Sequence, residues 1–505
     1  MSKLRSDNAA EDSSSILSRT AKGAGWTIGW RFATRAIGFC STLILVRLLS
    51  PEDFGLVALA TGVFQTLDVL VGFGVEGAII RSDDADRALY DAGFTIKVAR
   101  GILTSVVLVV AVHPIAAFFG GPSLVPVIYA LAVGWTVAAF QNIGIVEFRR
   151  TLEFDQEFKL QLLPRLLSAF VTIATAFAWR SYWALVAGIL MGRVLSVAMS
   201  YRMHPYRPRF GIARIRSIFA YSFWEWIIGL LNIVGGRADT LLLGHFLGTG
   251  AVGVYGVGGE IASLPSTEVV APLARALFSG FALERRAGQH GGATLVRAFS
   301  ALALFTFPMS AGLSLVAEPL VRLAFGVEWL GAVPIIQVLG IASIIGLFGS
   351  VAESLFSAHA WLRTILWMSA VVSVFRVLML LILIPQCGLL GAALAAAVAG
   401  LVQEVLFVGV AVARLRIRVR DLLMAVARPL AAISIMALML VTSGLIGAGA
   451  PSTNGLVFQL AAGIALGAVT YVGSLLALWM LAGSPEGPEA EALRLMRRLV
   501  LRATV

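Results

Sequence analysis

The chain has 505 residues, of which 59% are hydrophobic and only 13% charged, and its mean hydropathy is +0.89. Soluble domains carry about 25% charged residues, so this composition excludes a soluble globular protein and predicts a polytopic membrane protein. The net charge of +11 indicates arginine in cytoplasmic loops rather than a nucleic-acid surface. Cys40 and Cys387 form neither a disulfide framework nor a CxxC pattern. We expect no metal site, no catalytic residues and no cofactor.

The first apolar stretch, from Gly23 to Val46, follows a polar segment, residues 1–22, which lacks the apolar core of a signal peptide and is predicted to be a cytoplasmic tail. This stretch carries Arg31 and Arg35, which lie one helical turn apart on one face. An arginine at the bilayer centre costs roughly 2.5–3.5 kcal/mol, so two on one face should avoid lipid. They are predicted to face a water-filled cavity, a buried partner or an anionic ligand.

Apolar runs of about 20 residues predict about fourteen membrane-spanning helices. These runs lie near 23–46, 54–78, 94–118, 123–147, 161–179, 182–201, 219–245, 250–278, 296–317, 331–357, 361–384, 388–412, 428–448 and 456–481. Arginine is concentrated in alternate loops, which predicts that both termini are cytoplasmic. The segment 482–505 is predicted to form a basic amphipathic helix on the inner leaflet, and a solvated charged tail is the alternative.

An internal repeat relates residues about 200 positions apart. Leu49–Ala58 aligns with Leu247–Gly256, and Phe119-Gly120 with Pro126 resembles Phe325-Gly326 with Pro334. The repeat predicts two six-helix lobes, 23–201 and 219–412, which are joined by a cytoplasmic loop, 202–218, and followed by a basic loop and an extra helix pair within 413–481. Halves with an even number of spans share one orientation, so their axis should follow the membrane normal. Independent use of Gly and Pro at helix ends is the alternative.

Charged residues inside the predicted spans are the candidate site residues. Arg31, Arg35 and Arg237 are candidates for binding an anion, because the planar guanidinium suits phosphate. Asp68 could instead form a structural salt bridge with Arg35. Arg237 and Asp239 are two residues apart and are not predicted to pair. The candidates for coupling to H⁺ or Na⁺, or for pairing in a cavity, are Asp68, Glu225, Asp239, Glu260 and Glu268.

Two segments carry a resemblance to a known family. The run Leu48–Gly55 after an arginine-bearing span, and Gly236–Gly244 followed by Tyr255 and Ile261–Pro265, resemble the Wzx-type oligosaccharide-lipid flippases. These polysaccharide transporters belong to the multidrug/oligosaccharidyl-lipid/polysaccharide exporter superfamily. The resemblance implies alternating access, with a polyprenyl-diphosphate-linked oligosaccharide crossing the bacterial inner membrane. It also implies a cationic central cavity containing Arg31, Arg35 and Arg237, ion-gradient coupling, and association with a polysaccharide polymerase and a chain-length regulator.

Three other functions remain as alternatives. A lipid II flippase also has about fourteen spans and an arginine-rich cavity, whereas a multidrug exporter of the same superfamily usually has about twelve and a cavity suited to cations. A membrane-bound polymerase or glycosyltransferase would be expected to show a long outer loop or a DxD motif. No predicted outer loop is long, so we expect a transporter rather than an enzyme.

Overall fold

The computed structural model describes residue 29 and residues 33–72, 74–82, 86–151, 153–288, 291–445, 452–485, 487–491 and 494. The helices are α1 (33–48), α2 (Pro51–Leu70), α3 (Val75–Arg81), α4 (Arg87–Val110), α5 (Val112–Phe118), α6 (Leu124–Ala139), α7 (Val146–Arg150), α8 (Phe154–Trp179), α9 (Trp183–Met203), α10 (Ile215–Leu247), α11 (Thr249–Ala262), α12 (Ala271–Arg286), α13 (Gly292–Leu315), α14 (Ala317–Ala324), α15 (Ala332–Ile345), α16 (Leu347–Ala358), α17 (Leu362–Leu415), α18 (Val419–Thr442) and α19 (Thr453–Leu481). No strand occurs among these residues, so the described chain is all-helical as predicted.

Eight of the described helices are long and apolar enough to span a membrane, and ten spans result if two bent helix pairs each count as one. The chain is therefore an integral membrane protein, and the exact count of fourteen spans stays a prediction. One bent pair is α6 with residues 143–150, at 66°, and the other is α15 with α16, at 44°.

The long helix α17 contains two of the predicted spans. Gly388 has φ 59° and ψ −135°, which is not a helical conformation. A Cβ on Gly391 would collide with the backbone of Leu383 and would lie 3.1 Å from the Ile384 nitrogen. Residues eight apart lie about 12 Å from each other along a straight helix. The chain therefore turns back at Gly388, where glycine permits the positive φ.

The chain divides into two compact units. The first contains the residues up to Ile233 together with Gly248–Gly253, and the second contains Val234–Leu247 and Val254–Val505. The predicted loop 202–218 thus belongs to the first unit, and α18 and α19 belong to the second. In the second unit, the Tyr471 hydroxyl of α19 donates to the carbonyl of Leu304 on α13 at 2.8 Å, which fastens the extra helix pair.

The Leu48–Gly55 motif is explained by local structure at the start of α2. Ser50 is the N-cap: its hydroxyl accepts from the Asp53 N–H at 3.2 Å, and Asp53 Oδ2 accepts from the Ser50 N–H at 3.1 Å. This reciprocal arrangement is a capping box, and Pro51 occupies the first helical position, where its missing N–H costs nothing. Asp53 Oδ1 also accepts from the Tyr182 N–H at 2.8 Å, next to the start of α9.

The two aligned glycines of the internal repeat lie against each other within the first unit. A Cβ on Gly55 would lie 2.8 Å from the Gly253 nitrogen, and a Cβ on Gly253 would lie 3.0 Å from the Gly55 nitrogen. A Cβ on Gly55 would also collide with the carbonyl of Thr249, and a Cβ on Gly253 with the carbonyl of Pro51. Thr249 follows Pro51 by 198 residues and Gly253 follows Gly55 by 198 residues, which is the offset of the internal repeat. Residues 51–55 and 249–253 are therefore related by a local two-fold axis.

The segment after α9 is fastened to the first unit by buried and half-buried polar groups. Asp91 Oδ1 accepts from the Tyr206 hydroxyl and from the Arg209 N–H, both at 2.7 Å. Asn142, which is fully buried, donates to the Tyr206 carbonyl at 2.7 Å. We call residues 204–211 the strap.

We expect His204 to make the strap sensitive to pH. Its Nδ1 accepts from the Tyr206 N–H at 3.2 Å, which requires a neutral ring. Burial lowers the pKa of His204, and Arg207 adds to this effect against the opposing charges of Glu147 and Glu153. A lowered pKa in the folded state gives stability that is present above about pH 6.5 and is lost as the pH falls.

We therefore expect the strap amides to exchange hydrogen faster below about pH 6.5, after correction for intrinsic exchange. His204→Gln retains an acceptor that does not titrate, so its strap amides should not respond to pH over this range. An equal response in both proteins would contradict this assignment.

Candidate functional site

Asp68 forms its salt bridge with Arg100. Arg100 Nε donates to Asp68 Oδ1 at 3.0 Å, and Nη2 donates to Oδ2, which makes a bidentate pair between α4 and α2. A Cβ on Gly72 would lie 2.7 Å from Arg100 Cζ, so the glycine leaves room for the guanidinium. The hypothesis that Asp68 pairs with Arg35 is therefore wrong: the Asp68 oxygens are occupied by Arg100, a cation that was not among the candidate site residues.

Arg193 lies on an aromatic surface in the same unit. Its guanidinium carbon is 4.3 Å from the centre of the Trp135 ring, and Trp135 stacks on Phe64 at 4.8 Å. A cation over a tryptophan face is stabilised without being neutralised. No described carboxylate forms an ion pair with Arg193.

Lys97 is a third cation of this group. Its Nζ donates to Gln141 Oε1 at 3.0 Å, and it lies within electrostatic range of Arg100 and Arg193. We call Lys97, Arg100 and Arg193 the basic cluster. Asp68 contacts the cluster, and Glu76, which pairs with Arg149 at 3.1 Å, also lies within electrostatic range of Lys97. The three cations exceed these two carboxylates by one positive charge.

Arg165 of α8 approaches α1 about one helical turn after Arg35. Arg35 is half-buried on α1, and Gly38 follows it by three residues on the same face. A Cβ on Gly38 would lie 3.2 Å from Nη2 of Arg165 on α8. The guanidinium of Arg165 thus reaches α1 at Gly38, one helical turn after Arg35. Arg31 lies outside the described residues, so its predicted role stays a prediction.

The second unit contains a polar triad around Asp239. Arg376 Nε donates to Asp239 Oδ1 at 3.2 Å, Arg376 Nη2 donates to Oδ2, and the Tyr255 hydroxyl donates to Oδ2 at 3.0 Å. Asp239 is 6% exposed. A guanidinium therefore already occupies the position that a coupling cation would take beside this carboxylate. As predicted, Asp239 does not pair with Arg237, which is exposed.

The other candidate carboxylates, Glu225, Glu260 and Glu268, do not form part of this triad. Glu260 is half-buried on α11. Glu268 is exposed and lies in a π-helical turn, Ser266–Val270, where the Thr267 hydroxyl donates to its Oε1 at 3.1 Å. Such turns are frequent at functional sites. The side chain of Glu225 lies outside the described residues.

The salt bridge between Asp68 and Arg100 could have been found in the sequence as opposite charges on neighbouring spans. Asp68 and Arg100 fall in consecutive predicted spans, at comparable distances from the inner ends, which is the arrangement that lets helix neighbours pair. Glu404, described below, has a different signal, because it is a carboxylate inside a span with no basic residue within nine positions on either side.

Comparison with solved structures identifies the fold. The fold is similar to that of the lipid II flippase MurJ in its inward closed conformation, with a TM-score of 0.73 and 13% identity, covering 90% of this chain and 98% of that one. The protein thus has the helical fold of that membrane transporter.

The sequence then gives the family. A model described as polysaccharide biosynthesis protein matches residues 44–334, and the chain belongs to this family. It is 24% identical over 326 residues to the succinoglycan biosynthesis transport protein ExoT of Rhizobium meliloti strain 1021, covering 64% of this chain and 65% of that protein. It is 22% identical over 350 residues to the lipopolysaccharide biosynthesis protein WzxC of Escherichia coli K12, covering 68% and 71%. The chain spans about two thirds of the length of these relatives.

Proposed function

We propose that this protein moves polyprenyl-diphosphate-linked oligosaccharide units from the inner to the outer leaflet of the bacterial inner membrane. The product would be an exopolysaccharide, a capsule or the O-antigen of lipopolysaccharide. The names of the relatives support this proposal, since they concern transport and biosynthesis of polysaccharides. A diphosphate bearing several sugars cannot cross about 30 Å of hydrocarbon unaided.

The observation that carries the proposal is the surplus of positive charge in the basic cluster. Intramembrane cations are retained where they serve a ligand or a partner. Arg100 has a carboxylate partner, whereas Arg193 is supported by an aromatic ring and its guanidinium edge remains available for paired hydrogen bonds to phosphate. Arg35, Arg165 and Arg237 are further candidate contacts for the head group.

The accompanying proposals concern orientation and energy. Both termini would be cytoplasmic, transport would proceed by alternating access, and an H⁺ or Na⁺ gradient would drive it. The protein would work beside a polysaccharide polymerase and a chain-length regulator.

Arg193→Ala is expected to lower export by about tenfold to a hundredfold, the range for losing a charge-assisted hydrogen bond. The measurement is surface polysaccharide, together with lipid-linked oligosaccharide accumulated in a deletion strain that expresses each variant at equal membrane level. Arg193→Lys separates recognition of phosphate by the planar fork from recognition by charge alone, because lysine preserves only the charge.

The matched control is Arg322→Ala, which removes an arginine from a partly exposed pair with Glu318 and should export normally. Arg35→Ala and Arg237→Ala test the other cations in the same assay. Normal export by the variants of Arg193, Arg35 and Arg237 would reject a cationic site. Rescue of a strain depleted of its peptidoglycan flippase, without any effect on polysaccharide, would instead favour lipid II as the substrate.

A further inference from the structure

Glu404 is a buried carboxylate in the second half of α17. It is 5% exposed, and Phe407, three residues later, packs against Phe356 of α16 with ring centres 5.9 Å apart. The surroundings form an apolar core that includes Phe299, Phe356, Phe407 and Ala411. An ionised carboxylate in such a setting requires compensation.

The compensation comes from the start of α16. The N–H of Gly349 donates to Glu404 Oε2, and Gly349 is the third residue of α16. The first amides of a helix lack partners within the helix and favour a negative charge. A Cβ at position 349 would lie 3.0 Å from Glu404 Cδ, so glycine allows the carboxylate to reach this amide.

No described cation balances Glu404. The elements packed most closely against α17 are α15 and α16; α15 has no ionisable residue, and α16 has only Glu353. Further charges on neighbouring helices are Glu284, Arg285 and Arg286 on α12, Arg297 on α13, and Arg420, Asp421 and Arg428 on α18. Arg428 pairs with Glu489 at 2.7 Å. Asp68 and Asp239 each form a salt bridge with an arginine, whereas Glu404 accepts a hydrogen bond from a backbone amide.

The amide that Glu404 binds lies beside a break in a span. Helices α15 and α16 meet at Gly346 with a bend of 44°. Breaking the contact between Glu404 and Gly349 would release the first turn of α16 from α17. The charge on one carboxylate and the anchoring of this helix are thus linked.

We propose that Glu404 is a proton-binding site whose occupancy controls how firmly the start of α16 is held against α17. The carboxylate takes one H⁺ from water and becomes a neutral acid; on release it regains its charge and its strong bond to the Gly349 amide. The site deepens the proposed function, on which it rests, by assigning H⁺ as the coupling ion.

The test uses the purified full-length protein in lipid nanodiscs without any substrate. Infrared difference spectra during a pH titration should show a carboxylic-acid band that Glu404→Gln lacks and that Glu353→Gln, the control on α16, retains. Hydrogen exchange of amides 347–352, corrected for intrinsic rates, should accelerate between about tenfold and a hundredfold when Glu404 is protonated. In Glu404→Gln these amides should exchange at the fast rate throughout the titration.

Wild-type pH dependence of these amides in Glu404→Gln, or an unchanged infrared band, would overturn the proposal. Should Glu404→Gln fail to fold, Glu404→Asp keeps the test decisive: its shorter side chain should titrate without changing exchange at 347–352, and a wild-type response would overturn the proposal. The titration uses no substrate, so its result does not depend on the flippase function. If Glu404 titrates as expected but the cells show no export of polysaccharide, the proposed flippase function is rejected and the proton site stands. If export is normal but Glu404 does not titrate, the proton site is rejected and the flippase function stands.

Discussion

Asp239→Ala is expected to lower the free energy of unfolding by about 3–5 kcal/mol, because it leaves a largely buried guanidinium without its partner. Arg376 would lose both of its bonds to the carboxylate, and the Tyr255 hydroxyl would lose its acceptor. The measurement is thermal unfolding of the purified protein in detergent, followed by the loss of its monodisperse chromatographic peak.

A double-mutant cycle isolates the pair. Asp239→Ala combined with Arg376→Met should be more stable than Asp239→Ala alone, since the uncompensated charge has been removed. Arg237→Ala, an exposed neighbour two residues away, should remain within about 0.5 kcal/mol of the wild type. Strict additivity in the cycle would show that Asp239 and Arg376 do not interact in the membrane.

Gly55→Val is expected to cost about 3 kcal/mol or more, because overpacking usually costs 1–3 kcal/mol and the obstructing atoms here are backbone. A side chain at position 55 meets the Thr249 carbonyl and the Gly253 nitrogen, which cannot rotate away. Gly253→Val should be equally harmful, since the two-fold relation makes the two positions equivalent. Membrane yield and melting temperature measure both effects.

Gly256→Ala is the matched control on α11. A Cβ there meets nothing within 4 Å, and alanine is favoured over glycine in a helix by about 0.5–1 kcal/mol. This variant should be as stable as the wild type or more so. Equal tolerance of valine at positions 55 and 253 would contradict the close crossing of the two segments.

Some structural features are specified within one short segment of the sequence. The Ser-Pro-Glu-Asp run predicts a helix start by its chemistry alone, because a capping box needs only residues three apart. The repeat was visible as Gly55 aligned with Gly253, and the structure explains why both are glycine: they occupy the two equivalent sides of one backbone crossing.

Charge pairing between helices was harder to predict from sequence. A helical period shows which residues share a face, but it does not show which helix lies opposite that face. The sequence offers Arg35 on the preceding span as one candidate partner of Asp68, whereas the fold packs α2 against α4 and brings Arg100 to it. In the sequence, Tyr255 stood out only as part of the motif shared with the flippases. Its hydrogen bond to Asp239 depends on the contact between α10 and α11.

The sequence by itself determined that this is an integral membrane protein built from apolar helices with arginines inside them, because the hydrocarbon core imposes span length and excludes unsatisfied charge regardless of how helices pack. It also determined the repeat. Only the tertiary structure decided which group compensates each of the charges inside the helices. Asp68 and Asp239 received arginines from distant helices, Arg193 received an aromatic ring, and Glu404 received the first amides of α16. Those partners are set by three-dimensional packing over 32 to 137 residues of sequence separation, a range that no local pattern encodes.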